Sequence, residues 1–188
     1  MSARLIQKCV VVHADSGGSG HDLQTTQALA RWLAEILDWS YRDNGQAENS
    51  QQGLYWVPTE TLIGEQLDEL NISGADDLLG GYVQHPFVAT KAISHPLIAQ
   101  ARSQPDGWNP QFCERVRDVV LPGVTVFDPE DARQAAMAGL RKGALRVKQV
   151  EASGGSGQAV LHNQNDVEKW LSKLDAGTCG HGIVLEEN

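Results

Sequence analysis

Three observations make this chain an α/β protein. A short, nearly continuous apolar run, Lys8 to Ala14, has the pattern of a strand buried on both faces and leads through a Gly-rich turn into an amphipathic helix. Strand and helix signals then alternate as far as Leu70, the order of a small parallel α/β layer. Near the C-terminus, Leu145 to Leu161 reads as a hairpin with a Gly-rich tip, between two helices and ahead of a last strand.

The first helix is expected over about Asp22 to Asp38, with Leu29, Leu33, Ile36 and Leu37 on one stripe and Trp32 beside them as core. Its preceding turn, Asp15 to Gly20, lacks the full dinucleotide fingerprint because Leu23 stands where the last glycine belongs, so a tight turn is the better reading. Arg42 to Gln52 is a polar surface loop, and Leu54 to Pro58 is the next strand. Thr59 or Thr61 is expected to cap a short helix ending at Leu70.

Two His-Pro pairs, at His85 and His95, are ten residues apart, which is no zinc spacing, so these histidines read as hydrogen-bonding loop residues. Lys91 between them has small and apolar neighbours and is the better candidate for a functional charge. Gln111 to Val120 reads as a helix and Val124 to Phe127 as a strand. The clearest helix start comes next: Asp128 as N-cap, Pro129 in the first position and acidic residues in the first turn. After the hairpin, Asn165 with Glu168 has capping-box spacing for a helix burying Val167, Trp170, Leu171 and Leu174, which Gly177 ends. Gly182 to Leu185 is the last strand.

Composition narrows the function. With 188 residues and 41% hydrophobic content the chain can form one compact domain or two small ones. A net charge of −9 argues against nucleic acid or an anionic membrane as the main partner. Three widely spaced cysteines give neither a disulfide framework nor a zinc site, and no apolar run reaches the roughly 20 residues that span a bilayer. A cytoplasmic protein is expected; a homo-oligomer is left open.

The hairpin carries the chemistry. Ser153 to Gly157 holds three glycines and two serines, so backbone N–H groups can approach an anion closely, and Lys148 on the first strand adds a positive charge beneath them. Such a tip also serves simply as a turn. The pair Cys179 and His181 reads as a turn rather than a nucleophile, and no GxSxG is present.

The order of helix, lysine-bearing strand, Gly-rich loop, strand, helix and strand resembles the first subdomain of the ATP-grasp nucleotide-binding module. The passages GGYVQHPFVATKAISHPL, VVLPG and HGIVLEEN are similar to a bacterial family of unknown function with an ATP-grasp-like domain. The resemblance implies an N-terminal Rossmann-like layer, residues 1–86, and a partial nucleotide-binding subdomain, residues 87–188. It puts Lys148, and Lys91 as an earlier lysine, on the nucleotide phosphates, with Gly154, Gly155, Ser156 and Gly157 closing over them. Glu186 and Glu187 match the hinge along the adenine edge.

The same resemblance implies ATP binding in a carboxylate ligase of the acyl-phosphate type, with an unknown carboxylate as substrate; the alternative is a non-catalytic nucleotide-binding or interaction module. Family members hold Mg²⁺ through acidic and amide residues on later strands. Those would lie beyond Asn188, so the chain is expected to be a fragment or truncation, inactive alone, with no catalytic or metal ligand assigned within it. The last strand is then expected at an exposed sheet edge.

Overall fold

A computed structural model describes residues 8–14, 20–43, 53–152 and 154–188. They form two compact units, Met1–Gln84 and His85–Asn188. No described helix is long and apolar enough to cross a membrane.

The first unit is built on β1 (Cys9–His13), flanked in parallel by β2 (Ser40–Arg42) and β3 (Leu54–Pro58) in the order β2-β1-β3. Cys9 pairs with both Ser40 and Leu54. Alternation along β1 divides its side chains between two cores. Val10 and Val12 pack with Ala30, Ala34 and Val57. Cys9 and Val11 pack with Trp56, Leu62, Ile72 and Leu78. Both sets are almost fully buried, which is why β1 reads as continuously apolar.

Helix α1 (Gly20–Leu37) appears as expected, but of its expected stripe only Leu33 packs against the core. Its buried residues are Ala30 and Ala34, whereas Leu29, Trp32, Ile36 and Leu37 are exposed, Trp32 by 66%. Alanines let the helix axis approach β1 closely, and the bulky stripe then falls on the flank. Assigning Trp32 to the core is therefore corrected.

The short helix before Leu70 also differs. Leu62–Ile63 forms β4, parallel to β5 (Tyr82–Val83), and α2 (Gly64–Glu69) begins only afterwards. The Gln66 side chain accepts from the Ile63 N–H at 2.8 Å, so neither Thr59 nor Thr61 is the cap. The turn Asp15 to Gly20 lies, except for Gly20, outside the described residues, as does most of the polar loop before β3.

The second unit holds a four-stranded antiparallel sheet in the order β6-β9-β7-β8. Its strands are β6 (Gly123–Val126), β7 (Leu145–Gln149), β8 (Gln158–Leu161) and β9 (Ile183–Glu187). α3 (Gln111–Val116) precedes β6 and is shorter than expected. Helix α4 (Pro129–Leu140) begins where the sequence placed it, with Asp128 accepting from Glu130 N–H at 2.9 Å and Asp131 N–H at 3.2 Å. For α5 (Gln164–Leu171) the cap is Asn163, which accepts from Asp166 N–H at 3.1 Å; the Asn165 and Glu168 box is not used. The segment 176–181 is a helical turn, α6 (Ala176–His181), inside which Gly177 lies.

The last strand is not an edge. β9 runs between β6 and β7, with Ile183, Val184 and Leu185 at most 2% exposed. Each such side chain contributes about 1.5–3 kcal/mol on burial, so β9 is central to this core. Ile183 and Leu185 face Val126, Ala132, Ala136, Leu145, Val147, Leu161 and Val167. Val184 faces the other way, toward Phe87, Ala92, Phe127 and Val150.

Candidate functional site

The face of the sheet that carries Val184 also carries the charged residues. Alternation puts Lys148 of β7 and Glu186 of β9 on this side, two residues apart along the ladder, because Lys148 pairs with Val184 and Arg146 with Glu186. The Lys148 ammonium forms an ion pair with Glu186 Oε1. The Glu186 side chain is only 6% exposed, so the lysine supplies the charge that its burial requires.

His95 completes this cluster from the loop that comes after the 3-10 turn Lys91–Ser94. It is buried, with Nε2 3.0 Å from the Leu121 carbonyl and 3.8 Å from Glu186 Oε2. A carbonyl can only accept, so Nε2 carries the proton and donates to it. Burial lowers the pKa of His95 and favours the neutral ring, against the opposing influence of the Leu121 bond and Glu186. Neutral Nδ1, 2.8 Å from Ser94 Oγ, then competes with the Lys91 carbonyl, 2.6 Å away, for the single hydroxyl proton. Beneath them Thr125 Oγ1 donates to the Ala92 carbonyl at 2.7 Å and fixes the turn to β6.

Lys91 reaches the hairpin from this turn. Its ammonium donates to the carbonyls of Gln149 at 3.1 Å and Ala152 at 2.5 Å. Its pKa is lowered, first by burial and then by the charge of Lys148, with Glu186 opposing. Lys91, Lys148 and Glu186 thus share one electrostatic environment.

The tip of the hairpin continues from Ala152, where Lys91 is bound. Gly154, Gly155 and Gly157 have φ of 60°, 83° and 60°, conformations costly for residues with a Cβ. Added Cβ atoms at Gly154 and Gly155 would meet nothing within 4 Å, so there the requirement is one of backbone conformation and the peptide groups are open to approach. Ser156 is exposed beside them, and Ser153 lies outside the described residues.

Glu187 is separated from this group. It belongs to the opposite face of β9 and lines an apolar cavity of about 190 Å³ with Ile98, Ala135, Lys142 and Leu145. The structure therefore brings Lys91, Lys148, Glu186 and the base of the Gly-rich hairpin together, and leaves Glu187 on the side of α4. His95 was legible in sequence only as a loop hydrogen-bonder, and nothing in its spacing pointed to Glu186.

The described residues do not enclose a metal ion on their own. Among them no group of three or more His, Cys, Asp or Glu could hold a metal ion, and the buried carboxylate of Glu186 is engaged by Lys148. A nucleophile at Cys179 is likewise ruled out by geometry. The thiol is fully buried, its pKa is pushed up to about 12 by burial and the nearby Asp128, and His181 instead meets Glu151 Oε1 at 2.7 Å.

The fold of the described elements is similar to that of solved D-alanine ligases. D-alanyl-alanine synthetase A from Vibrio cholerae O1 biovar eltor matches 98% of this chain with a TM-score of 0.51 and 12% identity, over 60% of its own length. D-alanine–D-alanine ligase from Bacillus anthracis matches 97% with a TM-score of 0.56 and 9% identity, over 57% of its length. A RimK domain ATP-grasp protein from Sphaerobacter thermophilus matches 96% at a TM-score of 0.43 and 12% identity, over 64% of its length. The chain therefore spans roughly three fifths of these structures. It belongs to the family described as protein of unknown function DUF3182, matched over residues 10–188. No curated protein sequence matches it.

Proposed function

We propose that this chain binds ATP as part of an ATP-grasp carboxylate ligase of the acyl-phosphate type. The observation that carries the reading is the Lys148–Glu186 ion pair on the strand that leads into an open, glycine-built hairpin tip, on a fold shared with D-alanine ligases. Backbone N–H groups of Gly154 to Gly157 and the Lys148 ammonium hold the phosphates, stabilising charge that builds on a transferring phosphoryl group. Glu186, and Glu187 through its backbone, border the base. The Rossmann-like layer before this unit serves the carboxylate substrate.

Bound magnesium would neutralise charge on the phosphates. The three buried free cysteines suit a reducing cytoplasm.

Calorimetric titration with ATP, with and without Mg²⁺, tests the proposal. Saturable binding at one site per chain is the expected result. Failure to bind under both conditions overturns it.

A further inference from the structure

Lys91 has acceptors of an unusual kind. Both are main-chain carbonyls, Gln149 O and Ala152 O, and they bracket the point where β7 leaves the sheet and becomes the Gly-rich tip. The lysine comes from 58 and 61 residues earlier in the chain, so the contact is tertiary and not part of the hairpin's own turn.

The same corner is held by backbone bonds: Gln149 N–H to Gly157 O at 3.0 Å, Val150 N–H to Gly182 O at 3.3 Å and Ala152 N–H to Gln149 O at 3.3 Å. Two of the three are long, and Gly157 sits so tightly against Ala152 and Gln149 that an added Cβ would fall 2.7 Å from Ala152 Cβ. Besides Lys91, the Gln149 carbonyl accepts a stretched bond from the Ala152 N–H at 3.3 Å. A charge-assisted donor reaching both carbonyls fixes their separation and hence the direction in which the tip departs.

We propose that Lys91 is a positioning residue, a clasp that sets the base of the Gly-rich tip through the carbonyls of Gln149 and Ala152, instead of a direct nucleotide contact. A chain free to swing at Ala152 would leave the direction of the tip unset. A chain clasped there leaves only the tip to adjust to a ligand. The significance for nucleotide rests on the proposed function; the clasp itself does not.

Amide hydrogen exchange of the chain without nucleotide tests it, using Lys91→Met, which keeps the stem but removes the donors, and Lys91→Arg, which keeps charge and donors. The measured quantity is the exchange of Gln149, Val150 and Ala152 relative to Val184 and Leu185 of β9. In Lys91→Met this ratio is expected to rise about tenfold, the equivalent of one charge-assisted hydrogen bond, and in Lys91→Arg to return most of the way to the parent value. Equal acceleration of corner and strand, no acceleration, or identical behaviour of the two variants overturns the clasp. An ATP titration of the same proteins keeps the two ideas apart. Weaker binding in Lys91→Met that Lys91→Arg restores, together with the exchange response seen without nucleotide, supports both, whereas the same binding loss with no exchange response makes Lys91 a direct contact and overturns the clasp. An exchange response in a chain that binds no ATP supports the clasp and ends the nucleotide reading.

Discussion

Lys148 and Glu186 stand diagonally across neighbouring antiparallel strands, and the ammonium of one neutralises the nearly buried carboxylate of the other. Removing one partner strands a charge, whereas removing both leaves a smaller defect. A double-mutant cycle of Lys148→Met and Glu186→Gln, monitored by urea unfolding, should therefore show the pair of substitutions costing less than the sum of the singles. The coupling should be about 1–2 kcal/mol, limited by the partial exposure of the lysine. Additive effects would mean that the ion pair does not act as a unit.

Close approach of β6 to β9 depends on Gly123. A Cβ there would fall 2.5 Å from the Leu185 carbonyl, 2.8 Å from His95 Cδ2 and 2.9 Å from Glu186 Cβ. Because the first of these atoms is backbone, Gly123→Ala must push the strands apart, at about 1–3 kcal/mol. Gly180→Ala in α6 is the contrast, since its Cβ meets nothing within 4 Å and alanine is the better helix former. Denaturant unfolding should find the first variant clearly destabilised and the second equal to the parent or slightly more stable.

Much of this second unit could be read from sequence, because its signals are local. The hairpin pairs Leu145 with Leu161, and Asp128 caps α4 as its neighbours indicated. What sequence could not supply was long-range pairing. The last strand lies in the middle of the sheet because it joins β6 and β7 from far along the chain, and nothing in GIVLEE specifies neighbours on both sides. Likewise α1 offered a large apolar stripe and an alanine face, and only the space available against β1 selected Ala30 and Ala34. Lys91, Lys148 and Glu186 share one electrostatic environment, while the burial of His95 beside Glu186 is a product of that unforeseen strand order.

Asp77 supplies a pH dependence in the first unit. Its carboxylate accepts from the Ser73 hydroxyl at 2.7 Å and the Ser73 N–H at 3.0 Å and pairs with Lys8 at 3.2 Å, which lowers its pKa from 3.8 to about 2. A folded-state pKa below the unfolded one stabilises fully above the unfolded value and is lost as pH falls through the folded one. The stability advantage of the parent over Asp77→Asn should thus be constant above about pH 5 and shrink toward pH 2. An advantage that grows on acidification would contradict this assignment.

All three cysteines are buried, and the pKa values of Cys113 and Cys179 are raised, chiefly by burial. Iodoacetamide at pH 8 should leave the folded chain unmodified and label three sites in denaturant, as mass spectrometry will show. Rapid labelling of Cys179 in the folded chain would reopen a chemical role for it.

The central claim is that the sheet face bearing Lys148, and not the opposite face, receives ATP. Lys142 lines the cavity on the α4 side and is the matched control. Calorimetric titration of ATP into the parent, Lys148→Ala and Lys142→Ala decides between the faces. The account predicts affinity lower by roughly 10-fold to 150-fold in Lys148→Ala, the loss of a charge-assisted contact worth about 1.5–3 kcal/mol, and no change in Lys142→Ala. Equal affinity in the parent and Lys148→Ala, or a loss confined to Lys142→Ala, would contradict it.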